Sequence, residues 1–163
     1  MTFLDRLQQL NFQLPAVSTP GGDYASVNIR GNVAYVAVQF PIWNEEFRFQ
    51  GKLGQELTTE DGRRAAALCA LNVLAQVHHK VGFDRVEGLN HYDLYYVTDG
   101  HWDEAPQVAD AASKLFKEVL VDKGKHSRAI LGAAHLPRNF CVGLTASFTL
   151  LPTRAVIDSG ATN

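Results

Sequence analysis

The stretch HSRAILGAAHLP, residues 126 to 137, sets an arginine at the head of a strand of small and aliphatic residues. A guanidinium keeps its charge at any cellular pH, so Arg128 needs an anion or a set of acceptors once it is drawn toward a core. The next strand, FCVGLTASFTLL, carries no carboxylate. The expectation is therefore that Arg128 awaits an anion from outside the chain. Its two parallel donors suit a carboxylate, and such a charge-assisted bond contributes about 1.5–3 kcal/mol. Lys123, Lys125 and His126 stand beside it and add positive potential for a small anion.

Other chemistries find less to use. His78 and His79 are adjacent on a helical segment and point about 100° apart, unlike an i, i+4 ligand pair. His91, His101, His126 and His135 share no ligand spacing, so no metal site is expected. His126 and His135 are near enough to Arg128 to shape the polarity of its surroundings. Cys141, on a strand without an evident histidine partner, reads as a small interface residue. A nuclease would need an acid and a base flanking a phosphate, and neither is evident. With no phosphate loop, GxSxG elbow, CxxC or dinucleotide fingerprint, no cofactor is expected.

The 163 residues are 46% hydrophobic and 20% charged, which suits one globular domain spanning 1–163. A net charge of -2 gives no long-range field for a polyanion, so no nucleic-acid partner is expected. The two cysteines and the lack of a cationic, apolar leader fit a reduced, cytoplasmic protein. Apolar runs are interrupted well before the roughly twenty residues of a membrane helix.

The elements that must position Arg128 follow from periodicity. FLDRLQQLNFQL, residues 3 to 14, sets Phe3, Leu4, Leu7 and Leu10 at helical spacing and stops at Pro15, so residues 1–22 form a helical extension and loop. YASVNI and VAYVAVQF form a hairpin hinged at Arg30-Gly31-Asn32. Alternation puts Ala34, Val36, Val38 and Phe40 on one face and Val33, Tyr35, Ala37 and Gln39 on the other. After Pro41 a polar, aromatic loop follows. A helix then carries Ala67, Ala70, Leu71, Leu74, Val77 and Val81, with Thr58 and Asp61 near its start and Gly82 at its end.

VEGLNHYDLYYVTD reads as a strand in which Tyr95 and Tyr96 point to opposite faces, one of them to the core. Val108, Ala111, Ala112, Leu115, Phe116 and Val119 mark another helix. Trp102 reads as a loop aromatic folded over a helix start. The last strands cover 127–135 and 140–151, joined by a turn at Leu136 to Asn139, and residues 152–163 read as a mobile tail. The sum is an α+β sheet with two helices on one face, whose other face calls for a partner subunit.

This order, with GNVAYVAVQFP, ALCALNVLAQV and SRAILGAAHLP before a strand, resembles the Rid family, also called YjgF-like proteins, reactive intermediate deaminases or endoribonuclease L-PSP. The likeness runs from about Tyr24 to Leu150, and RLQQLNFQLP is similar to the longer branch. It implies a chorismate-mutase-like fold and a homotrimer with clefts between subunits. It also implies hydrolysis of enamines and imines such as 2-aminoacrylate to 2-oxo acids and ammonia, without a cofactor. The family arginine that grips the substrate carboxylate falls on Arg128, with backbone from Ala129 onward positioning nitrogen and water, and Tyr24 matches a pocket tyrosine.

Several family positions differ. Gly143 stands where active members carry a glutamate for the hydrolytic water, Thr145 is at the next acidic position, and Ala37-Val38 replaces a Ser-Gly pair. A helix asparagine becomes Ala109 or, shifted by one, Asp110. These departures favour, as the alternative, a non-catalytic binding or regulatory trimer. The candidate ligand-binding set is Arg128, Tyr24, Ala129 and Gly143, with the proton-transfer group unassigned.

Overall fold

A computed structural model describes residues 1–153. The first helix, α1 (Phe3–Gln9), is fixed by a capping box in which Thr2 and Asp5 exchange backbone and side-chain bonds. It is shorter than the sequence period implied, because the backbone turns left-handed at Asn11. Strands β1 (Val27–Arg30) and β2 (Val33–Gln39) form the expected hairpin, with Gly31 at a positive φ of 58°. The loop after Pro41 contains a small hairpin, β3 (Ile42–Trp43) and β4 (Glu46–Phe47). Helix α2 (Thr59–Val81) has a complete Thr58–Asp61 capping box and ends at Gly82, whose φ is 82°. Strand β5 (Val86–Tyr96), helix α3 (Ala105–Leu120), and strands β6 (Ser127–Gly132) and β7 (Val142–Leu150) complete the order.

The sheet runs β1-β2-β7-β5-β6, with β5 and β6 parallel and the other neighbours antiparallel. Helices α2 and α3 bury Leu74, Val77, Leu115, Phe116 and Val119 against Val36, Leu94, Leu144 and Phe148 of the sheet. Burial on α2 extends beyond the predicted stripe to Ala65, Ala66, Cys69 and Val73, because the helix meets α3 as well as the sheet. Tyr96 is the one of the pair that packs against the core, partly buried, while Tyr95 faces the other side; the fully buried tyrosine of β5 is Tyr92 on the same face as Tyr96. Trp102 does fold over a helix start, its indole N–H donating to Thr59 Oγ1 at 2.8 Å. Of the predicted tail, residues 154–163 lie outside those described.

The clean alternation expected along β2 fails. Register against β7 shifts between Val36 and Gln39, so an extra residue is accommodated as a bulge. Gln39 turns inward and is buried, while Val38 lies against Gly143. Val38 and Phe40 thus part from the buried row of Ala34 and Val36.

Candidate functional site

Arg128 lies in register with Tyr92 on the neighbouring strand, so it projects to the same side of the sheet, toward α3. There Nη1 donates to Asp110 Oδ1 at 2.7 Å and to Ser113 Oγ at 3.1 Å. The anion facing Arg128 is therefore a carboxylate of this chain, which corrects the expectation that only a diffusible one would serve. The sequence hid this because the two residues are 18 apart and meet only when α3 packs on the sheet. Burial opposes the Arg128 cation, yet Asp110 and Tyr92 outweigh it and hold its pKa above the ordinary value. Of the two candidates for the family asparagine position, Ala109 is fully buried and Asp110 is the one at Arg128.

Around this pair is a recess of ≈ 400 Å³ lined by Asp110, Ser113, Lys117, Lys125, His126 and Arg128. Three permanent cations thus surround one carboxylate. Ser113 is the junction: its Oγ lies 2.7 Å from Tyr92 Oη and 2.9 Å from His126 Nε2, while Tyr92 also donates to the Ala109 carbonyl at 2.8 Å. His126 Nδ1 lies 2.6 Å from the Gly124 carbonyl, which can only accept, so that nitrogen carries the proton. Desolvation, with the Lys117 and Arg128 charges, lowers the His126 pKa from its ordinary value.

A second, larger concavity of ≈ 930 Å³ opens beside the β2 bulge. Tyr24, half exposed, forms part of its wall with Val38, Phe40, Tyr95, Arg138 and Thr145. Buried side chains that the sequence reading passed over brace it. Asn72 donates to the carbonyls of Phe40, Ile42 and Leu68 at 3.3, 2.8 and 3.0 Å, and Gln76 donates to Ser18 O at 3.0 Å. A polar residue within an otherwise apolar helical run was the available signal.

Gly143 borders this region but leaves no opening. A Cβ there would lie 2.9 Å from Val38 Cγ2 and 2.9 Å from Phe40 Cε1. Glycine at 143 and the side chains at 38 and 40 are thus coupled in packing. The four predicted residues fall into two groups: Tyr24 and Gly143 near the groove, Arg128 and Ala129 on β6, with only Arg128 lining the recess.

Cys141 is corrected from an interface residue to a core one. It is fully buried, and burial pushes its thiol up to about 12, so it offers no ready thiolate. Burial raises Cys69 well above the ordinary range too. On the open sheet face, His91, first read as one of several isolated imidazoles, sits in a cross-strand chain. Its Nδ1 is 2.7 Å from Ser127 Oγ, its Nε2 3.0 Å from Asp93 Oδ1, and Thr145 donates to Asp93 Oδ2 at 3.2 Å. Among the described residues no cluster of three or more potential metal ligands occurs, and no helix is long and apolar enough to cross a membrane.

The comparisons fit this geometry. Residues 5–149 match the family described as "YjgF/chorismate_mutase-like, putative endoribonuclease". Protein TCP17 of Trypanosoma cruzi is 32% identical over 142 residues, covering 86% of this chain and 89% of its own. A crystal structure from Shewanella oneidensis, described as a "putative endoribonuclease", superposes with a TM-score of 0.90 at 28% identity, over 92% of this chain and 100% of its own. Protein Atu1372 of Agrobacterium tumefaciens, of unknown function, gives 0.84 at 30% identity, over 91% and 92%. The match over nearly the whole sheet and both long helices settles the kinship: this chain belongs to the YjgF, or Rid, family.

Proposed function

We propose that this protein binds a small carboxylate, of the 2-oxo or 2-imino acid class, through Arg128, in a cleft completed by a second copy of the chain. The carrying observation is the recess itself, where Arg128, Lys117 and Lys125 outnumber the single carboxylate of Asp110. Among the described residues, the hydrogen bonds of the Arg128 side chain all leave from Nη1. Its Nε–Nη2 edge is the edge a ligand carboxylate would take. Tyr24 and Arg128 line separate concavities of one chain. A homotrimer, as the family likeness implies, would bring the groove of one copy to the recess of the next.

Binding is favoured over hydrolysis by the packing at Gly143. Val38 and Phe40 fill the space a glutamate would enter, so no proton-transfer carboxylate stands at that position. Loss of general acid–base help removes roughly 10²- to 10⁴-fold in rate. The second reading, hydrolysis of 2-aminoacrylate with Arg128 orienting the substrate and backbone near Ala129 positioning water, rests on the arginine's place in SRAILGAAHLP.

A thermal-shift titration with pyruvate and other 2-oxo acids tests the binding. The midpoint should rise with ligand for the native protein and stay fixed for Arg128→Ala. A flat response in the native protein refutes the proposal. Generating 2-aminoacrylate with a pyridoxal-phosphate dehydratase and following pyruvate release then decides whether hydrolysis accompanies binding.

A further inference from the structure

His126 has a place in the recess that the binding proposal leaves unused. Both of its ring nitrogens are engaged inside the protein, Nδ1 with Gly124 O and Nε2 with Ser113 Oγ, so it acts through Ser113. With Nδ1 protonated, neutral Nε2 can only accept, and it takes the one hydroxyl proton of Ser113. The Ser113 oxygen is then left to accept, from Arg128 Nη1 and from the Tyr92 hydroxyl, whose single proton it shares with the Ala109 carbonyl.

Protonating Nε2 reverses that bond. The imidazolium becomes a donor to Ser113, whose hydroxyl proton must turn away, and the Tyr92 Oη at 2.7 Å is placed to receive it. Tyr92 then keeps its own hydrogen bond donated wholly to the Ala109 carbonyl. The Ser113 oxygen would then serve two cations, His126 and Arg128, at 2.9 and 3.1 Å. Like charges so placed repel, and an anion entering the recess relieves them.

We propose that His126 is a positioning residue that couples anion binding in the Arg128 recess to the uptake of one proton. The coupling rests on the binding proposal and is reciprocal: lower pH tightens the anion, and the anion favours protonation of His126. The groups facing His126 are Lys117, Ser113 and Asp110 from α3, Tyr92 and His91 from β5, and Arg128 and Lys125 from its own side. The ring's partial burial, and then the Lys117 and Arg128 charges, disfavour its charged form, and an entering anion opposes them.

Pyruvate is the probe, because it stays ionised throughout the range in which an imidazole titrates. Its affinity, measured by calorimetry at pH 8 and pH 5.5, should rise about three- to tenfold at the lower pH. That range is what one added charge several ångströms away contributes in a partly solvated site. His126→Gln should bind pyruvate with the same affinity at both pH values. Asp110→Asn, which removes the other group able to gain a proton there, should keep the dependence. Ring NMR should show the His126 midpoint moving up when pyruvate is added. Equal native affinity at both pH values, or a dependence that survives in His126→Gln, overturns the coupling alone. Absence of binding at either pH overturns the Arg128 site, and the coupling with it.

Discussion

Gly143→Ala is the sharpest probe of the packing beside the groove. Its added methyl would lie 2.9 Å from both Val38 Cγ2 and Phe40 Cε1. That is about 0.6 Å or more inside the ~3.5–4.0 Å at which carbon pairs attract. Overpacking of this kind destabilises by about 1–3 kcal/mol. For a chain of this size each kcal/mol lowers the melting midpoint by roughly 2–4 °C. A gain of about 0.4–1 kcal/mol from the stiffer unfolded chain works the other way. It cancels when the substitution is made in two backgrounds. In Val38→Ala one of the two clashes is gone, so Gly143→Ala should cost about half as much there. The cycle should then return a coupling energy of about 1 kcal/mol. Urea unfolding of the four proteins, all at one fixed protein concentration so that any self-association enters equally, gives this number. Equal cost in both backgrounds, or a neutral Gly143→Ala in the native one, would refute the claim that Val38 occupies the space beside Gly143.

Asp110→Asn should release Arg128 and tighten 2-oxo acid binding a few-fold, read by calorimetry at pH 7.5; weaker binding would mean the carboxylate helps to hold the ligand. Tyr92→Phe removes the hydroxyl shared by Ala109 O and Ser113 and should lower stability by about 1–2 kcal/mol in urea unfolding. Gly124→Ala should be more severe, since its Cβ would sit 2.5 Å from the Phe116 carbonyl oxygen and 2.9 Å from Lys117 Cα, backbone atoms that cannot swing aside; the check is soluble yield and melting midpoint. The pKa of His126 is lowered by folding, so between that folded value and the ordinary imidazole value the unfolded chain binds more protons. Stability from this group is therefore present above the ordinary value and lost as pH falls toward the folded one. Replacement by Gln should flatten that part of a pH series of urea midpoints.

Much of the scaffold could be read before any coordinates. The Thr58–Asp61 box, the Gly82 stop and the Arg30-Gly31-Asn32 hinge are local signals, and local chemistry decided them. The alternation of β7 was likewise legible, since its Leu144 and Phe148 are buried on one side. What failed depended on distant neighbours. The β2 bulge exists because β7 lies alongside, and no residue within VAYVAVQF announces it. The site was half legible: an arginine heading an apolar strand pointed to an anion. Which anion depended on α3, whose Asp110, noted only as one of two residues at a family asparagine position, meets Arg128 when the helix packs on the sheet. Asn72 and Gln76 interrupt an apolar run, and their meaning appears only when the carbonyls they serve are in place.

The His91–Asp93–Ser127–Thr145 chain leaves a charge on the uncovered sheet face. Asp93 can only accept, so His91 Nε2 donates to it and Nδ1 receives the Ser127 hydroxyl, and each carboxylate oxygen already has its own donor. With a neutral imidazole the Asp93 charge still leans on water, so a neighbour that dried this face would have to bring a cation or leave a proton on His91, making the chain an ion pair.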